Sequence, residues 1–143
     1  MDTAPTPPAG LNHLTLAVAD LERAFDFYVG TLRCTPRVRW ARGAYLSVGS
    51  LWLCLSLDPA AAPRTDYTHV ALDAGPRDMD AWRERLAAAG AEVWKDNASE
   101  GDSIYFLDPD GHRLELHAGS LESRLAAVRE APYDGMVWFE PVP

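Results

Sequence analysis

Residues 11–18 read LNHLTLAV, and residues 66–74 read DYTHVALDA. Both look like short strands, and each is followed by a stretch with helical spacing. After the first, Asp20 is placed to cap a helix that carries Leu21, Ala24, Phe25, Tyr28 and Leu32 on one face. After the second, residues 77–89 place Met79, Trp82, Leu86 and Ala89 on one face, with Gly90 positioned to end the helix. Three strand candidates follow each helix. They lie at 36–41, 44–48 and 51–57 in the first half, and at 91–95, 103–107 and 112–117 in the second. Laying Asn12-His13-Leu14 over Thr68-His69-Val70 aligns the halves at a constant offset, so the chain reads as two β-α-β-β-β modules. The expected class is α+β. The expected boundaries are a flexible leader at 1–9, a first module at 10–57 and a Pro/Ala-rich linker at 58–65. A second module at 66–119 and a C-terminal helix and tail at 120–143 complete the chain, with little regular structure in the closing FEPVP.

The repeat has chemical content. His13 and His69 take equivalent places on the first strands, and Cys54 and Glu115 take equivalent places on the last. Glu115 lies in LDPDGHRLELH (107–117), where Asp108-Pro109-Asp110-Gly111 suits a tight turn and a strand follows. Leu114 and Leu116 share one face of that strand, while Arg113, Glu115 and His117 share the other. A carboxylate there needs either water or a cationic partner. If His13, His69 and Glu115 converge, two imidazoles and a carboxylate suit a divalent first-row metal with open coordination positions. Read singly, a histidine near a strand start is usually a surface or hydrogen-bonded group; two at repeat-equivalent places make the ligand reading an equal alternative. His112, beside the turn, reads as exposed, and His117 as a residue without a ligand role. Cys54 reads as a small, partly buried lining residue.

Composition bounds the remainder. Of the 143 residues, 48% are apolar, enough for a core, and the net charge of −8 disfavours nucleic acid and anionic membranes as partners. Two cysteines, Cys34 and Cys54, are too few for a disulfide framework and point to a reduced, cytoplasmic setting. The N-terminal MDTAPTPPAG lacks the features of a signal peptide, and no apolar run reaches membrane-spanning length.

The stretches GLNHLTLAVADL, GSLWLCLS, DYTH, SEGDSIYFLDPDGHRLELH and SRLAA…APY together resemble the fosfomycin-resistance glutathione transferases of the vicinal-oxygen-chelate superfamily. The resemblance runs from about Gly10 to about Met136. It implies a homodimer whose active sites are shared between modules of both chains, with Mn²⁺ held by His13, His69 and Glu115. It implies addition of the glutathione thiol to the oxirane carbon of fosfomycin that bears the phosphonate, assisted by K⁺ at a loop containing Asn97, Ser99, Gly101 and Ser103. It places Lys95, Ser99, Ser103, Tyr105 and Arg124 at the phosphonate. Thr15 falls near the oxirane, Tyr45 near the thiol, and Trp52, Tyr67 and Tyr133 in the pocket wall. On the residues alone, Lys95 and Arg124 read as ordinary solvated surface charges, and Tyr45, Trp52, Tyr67 and Tyr133 serve equally as packing aromatics. The leader and the Arg33-Cys34-Thr35-Pro36 stretch depart from the family pattern.

Three other activities suit the same fold. An enzyme using another thiol, such as bacillithiol or cysteine, or water on the epoxide, would need a different second reactant. Hydrolysis wants a carboxylate to activate water, and WARGAYLSVG around Tyr45 has none. An Fe(II) extradiol-type dioxygenase would take an apolar catechol, not an anion. A non-catalytic drug-binding protein would need no metal ligands.

Overall fold

The computed structural model describes residues 3–139. Residues 3–10 are exposed and lie outside helices and strands, whereas most of the FEPVP stretch falls outside the described residues. The elements run β1 (His13–Val18), α1 (Leu21–Phe25), a π-helical segment (Asp26–Thr31), β2 (Thr35–Trp40), β3 (Gly43–Val48) and β4 (Leu51–Leu57). The second series is β5 (Val70–Asp73), a 3₁₀ turn (Pro76–Asp78), α2 (Met79–Ala88), β6 (Val93–Lys95), β7 (Asp102–Leu107) and β8 (Arg113–Ala118). A last helix, α3 (Leu121–Glu130), follows. This is the β-α-β-β-β order expected twice over.

The two four-stranded sheets have the same plan. Their orders are β1-β4-β3-β2 and β5-β8-β7-β6, with the first and last strands of each module parallel and the remaining neighbours antiparallel. The chain divides into two compact units. One comprises residues up to Asp66 together with Asp108–His112, and the other comprises Tyr67–Leu107 together with residues from Arg113 onward.

In the first unit, α1 packs on β4, and one side of the sheet is apolar. Leu16 and Val18 of β1, Leu46 of β3 and Leu53 and Leu55 of β4 are buried, with Tyr28 from the segment after α1. Each buried leucine contributes about 1.5–3 kcal/mol. Asp20 caps α1 by accepting the Arg23 backbone N–H at 3.0 Å. The expected single helix through Leu32 changes pitch after Phe25: the Leu32 N–H donates to the Phe27 carbonyl, five residues back, at 2.9 Å. That π-helical turn still brings Tyr28 and Leu32 to the buried face, so the spacing identified the face and missed the pitch.

In the second unit, α2 packs on β7. Met79 and Leu86 are buried with Ile104, Phe106, Leu114 and Leu116, and Val128 of α3 is buried too. Ala89, expected on the α2 core face, is exposed, because the helix ends at Ala88. Ser120 and Ser123 cap α3 reciprocally. The expected strand at 66–74 is shorter than drawn: β5 begins at Val70, leaving His69 just ahead of it. Among the described residues, no helix is long and apolar enough to cross a membrane.

The Asp108–Gly111 turn forms as expected, with the Gly111 N–H donating to the Asp108 carbonyl at 3.0 Å. Its side chains bind into the first unit. Asp108 Oδ1 accepts the N–H groups of Asp110 and His112 at 2.9 and 2.8 Å, and Oδ2 accepts the Tyr28 hydroxyl at 2.6 Å. Asp110 Oδ1 accepts the Ala19 N–H at 2.8 Å and lies 3.3 Å from Arg23 Nη2. His112, expected to be exposed, is half-buried with Nε2 2.7 Å from the Ala17 carbonyl oxygen. The turn residue was read as surface because sequence shows the turn without showing what lies against it.

Candidate metal and anion site

The second unit answers the question posed by Glu115. Its side of β8 is dry: Glu115 is only 6% exposed. Strand register sets a row across the sheet, Lys95 opposite Tyr105, Tyr105 opposite Glu115 and Glu115 opposite Ala71. His69 precedes Ala71 by two residues, and its Nε2 comes to 3.1 Å from Glu115 Oε1.

That contact has a chemical consequence. His69 Nδ1 lies 3.1 Å from the Tyr67 carbonyl oxygen, which can only accept, so Nδ1 carries a proton. In the neutral ring Nε2 is then a lone pair, and it faces a carboxylate oxygen that is also an acceptor. Two acceptors at this distance need a cation between or beside them, either a proton or a metal ion. A backbone carbonyl on the far ring nitrogen is the usual support of a metal-binding histidine. The nitrogen–oxygen donor set therefore fits a divalent metal.

Beside this pair is a cationic group. The Lys95 ammonium donates to the Tyr67 hydroxyl and lies 4.8 Å from the Tyr67 ring centre and 5.0 Å from that of Tyr105. The hydrogen bond to Tyr67 is the main reason the Lys95 amine is held above its ordinary pKa. A cavity of about 340 Å³ is lined by Lys95, Asn97, Ser103 and Tyr105, among others.

The loop before β7 is tied internally. Asn97 Nδ2 donates to the Gly101 carbonyl at 2.8 Å, and its Oδ1 accepts the Ser99 N–H at 3.1 Å. Arg124 of α3 reaches this loop through Glu100, with Nε 3.2 Å from the carboxylate and Nη2 2.9 Å from the Glu100 carbonyl oxygen. Tyr133 is exposed beyond α3, and its backbone N–H donates to Met136 Sδ.

The other expected residues lie on one face of the first unit's sheet. His13 is opposite Trp52, and Thr15 and Tyr45 are both opposite Cys54. His13 Nδ1 donates to Asn12 Oδ1 at 2.8 Å, leaving Nε2 as a lone pair, just as in His69. Its ring stacks on Trp52 at 4.4 Å, and Trp52 meets Tyr45 edge-on at 5.2 Å. Cys54 is buried between its neighbours. Cys34 and Cys54 are free, and burial pushes the Cys34 thiol up to about 11, which leaves it unreactive.

Thus His69, Glu115, Lys95, Ser103 and Tyr105 cluster in one unit, while His13, Thr15, Tyr45 and Trp52 cluster in the other. Among the described residues of the single chain, no three His, Cys, Asp or Glu side chains gather to hold a metal. Sequence reasoning missed His117. Its Nδ1 lies 2.7 Å from Ser103 Oγ, which lies 2.7 Å from Glu115 Oε2. The signal was present: counting outward from the Asp108–Gly111 turn pairs 107 with 113, 105 with 115 and 103 with 117.

Comparison with known proteins gives the same outline. Residues 10–116 match the model of the Glyoxalase/Bleomycin resistance protein/Dioxygenase superfamily. The chain is 53% identical over 132 residues to the glutathione transferase FosA of Serratia marcescens, covering 90% of this chain and 94% of that one. It is 38% identical over 135 residues to the metallothiol transferase FosB of Shouchella clausii, covering 90% and 92%. Among solved structures, the fosfomycin resistance protein FosX of Listeria monocytogenes, in complex with Mn(II) and sulfate, superposes with a TM-score of 0.76 at 32% identity. That match covers 84% of this chain and 98% of FosX. The chain belongs to the Glyoxalase/Bleomycin resistance protein/Dioxygenase superfamily, in the group of enzymes that contains the thiol transferases FosA and FosB.

Proposed function

We propose that the chain adds glutathione to the oxirane of fosfomycin, as a homodimer that uses Mn²⁺ and K⁺. The carrying observation is the meeting of two acceptors, His69 Nε2 and Glu115 Oε1, beside the Lys95–Tyr67–Tyr105 group. A cation site next to a fixed ammonium suits a small anion that has a second oxygen to offer. The FosX complex with Mn(II) and sulfate, a tetrahedral anion, supports this reading.

His69 and Glu115 supply two protein ligands, and His13 of the partner subunit supplies the third. The Nδ1–H of His13 is engaged by Asn12, so its free Nε2 is suited to the task. When bound, the divalent ion supplies Lewis acidity for opening a strained epoxide. The side chains of this protein do the rest. Lys95 binds the phosphonate by charge-assisted hydrogen bonds, with Tyr105 and Ser99 donating alongside, while Ser103 lines the cavity. Arg124 holds Glu100 and thereby shapes the Asn97–Ser103 loop, whose carbonyl and hydroxyl oxygens suit a hard monovalent cation such as K⁺. Thr15 offers a hydroxyl to the oxirane oxygen. Tyr45, with Trp52 and Tyr133 in the wall, orients the incoming thiol, which reacts as the thiolate.

Water is disfavoured as the nucleophile because β1–β4 carry no Asp or Glu to act as a base on the Thr15–Tyr45 face. The FosB relatives favour one second reading, the same reaction with a different thiol. One experiment separates these. The protein is incubated with fosfomycin and Mn²⁺ plus glutathione, cysteine or no thiol, and products are read by mass spectrometry. A glutathione adduct is expected. An adduct in the cysteine arm alone moves the assignment to the second thiol, a diol without thiol moves it to hydrolysis, and unreacted fosfomycin throughout refutes the proposal.

A further inference from the structure

Glu115 is held from behind as well as in front. Ser103 Oγ lies 2.7 Å from Glu115 Oε2 and 2.7 Å from His117 Nδ1, while His117 Nδ1 and Oε2 are 3.5 Å apart. A hydroxyl has one proton to give. An ionised carboxylate only accepts, so Ser103 donates to Glu115 and accepts the N–H of His117. Ser103 Oγ, Glu115 Oε2 and His117 Nδ1 are then all satisfied in one arrangement. Glu115 Oε2 is occupied by Ser103, and Oε1 is the oxygen turned to His69.

The imidazole of His117 is itself confined. A Cβ on Gly119 would lie 2.5 Å from its Nε2, and a Cβ on Gly101 would lie 2.8 Å from its Cε1. Any larger residue at either place drives the ring from its position. Strand register adds a third constraint by setting Ser103 directly opposite His117. The side chain is 18% exposed, so little water competes for Nδ1.

We propose that His117 is a positioning residue that acts through Ser103 to hold the metal-binding oxygen of Glu115, with Gly101 and Gly119 shaped to admit its ring. The inference rests on the metal reading above. It assigns Ser103 a task distinct from contact with the phosphonate, and it gives His117 a role although it touches no ligand. Partners of this kind behind a metal-binding carboxylate typically account for about 10–100-fold in metal affinity.

The test is Mn²⁺ affinity of the full-length protein by titration calorimetry, with thermal melts of the metal-free protein to monitor folding. His117→Leu keeps bulk and removes the donor, and it is expected to weaken Mn²⁺ binding about 10–100-fold. His117→Asn keeps an N–H near the Nδ1 position and is expected to restore most of that loss. The methyl of Gly119→Ala meets the His117 ring first, 2.5 Å from Nε2, and displaces it, so this variant is expected to lose affinity like His117→Leu. Unchanged affinity in both His117→Leu and Gly119→Ala overturns the proposal, as does failure of Asn to restore binding, which reduces His117 to packing. If His117→Leu does not fold, Gly119→Ala alone decides by the same criterion. The wild type and Glu115→Ala are the controls. Absent Mn²⁺ binding in the wild type, or wild-type affinity in Glu115→Ala, overturns the metal reading and the inference with it.

Discussion

Tyr28→Phe tests the anchor of the Asp108–Gly111 turn. The substitution deletes one oxygen and keeps the ring. The lost bond is buried at both ends, with Tyr28 1% and Asp108 5% exposed, and its 2.6 Å length is that of a hydroxyl donating to a charged acceptor. Such a bond contributes about 1.5–3 kcal/mol. Asp108 keeps its two backbone donors, Asp110 and His112, so no carboxylate is orphaned and the lower part of that range applies, about 2 kcal/mol. For a chain of this length about 4 °C accompanies each kcal/mol, so the melting point is expected to fall by about 8 °C.

The pH dependence adds a second readout. Burial, reinforced by the Asp108 charge, raises the Tyr28 phenol well above its ordinary value of 10.0. Above pH 10 the unfolded chain has released this proton while the folded protein retains it. The unfolded state then binds fewer protons, so stability declines with rising pH. The contribution of Tyr28 is complete below pH 10 and is lost above it, by at most about 1.4 kcal/mol per pH unit. Tyr28→Phe lacks this term, so its deficit against the wild type is expected to shrink between pH 10 and 11. Urea melts at one fixed protein concentration from pH 7 to 11 measure both effects. Equal midpoints at pH 7, or a deficit that does not change above pH 10, would refute the account of the turn as an anchored element.

Three further outcomes bear on other parts of the molecule. Lys95→Ala is expected to raise the KM for fosfomycin roughly 10–100-fold with the metal affinity intact. Arg124→Ala is expected to impair activation by K⁺ as well, because it frees Glu100 in the loop; steady-state kinetics with and without K⁺ distinguish the two. Gly111→Ala places a methyl 2.6 Å from Pro63 Cβ at a φ of +83°, and should destabilise by about 2–5 kcal/mol in chemical denaturation. A stability loss near zero would show that the turn accommodates a side chain.

The sequence was sufficient for the repeat because both periodicities survive in it. Alternation along β1 and β8 and three-four spacing along α1 and α2 are local properties, and a tight turn such as Asp108–Gly111 has its own residue chemistry. Local patterns also set the faces: His13 with Thr15, and Glu115 with His117, follow from alternation alone. The start of β5 was misjudged because Asp66–Thr68 alternate like a strand although the ladder with β8 begins at Val70, and the pitch after Phe25 because spacing by three or four does not distinguish a π-helical turn.

What tertiary structure decided was how each polar group is satisfied. Nothing in LELH states that Glu115 is buried, that Ser103 stands between it and His117, or that two glycines from different segments leave room for that ring. Those facts depend on how side chains pack across the β7–β8 pair and its flanking loops, and on the exclusion of water that makes an unpaired acceptor costly. The sequence by itself determined which strands exist and which faces they present. Only the packed fold decided which side chains on those faces meet, because proximity in space is created by register and closure, not by order along the chain.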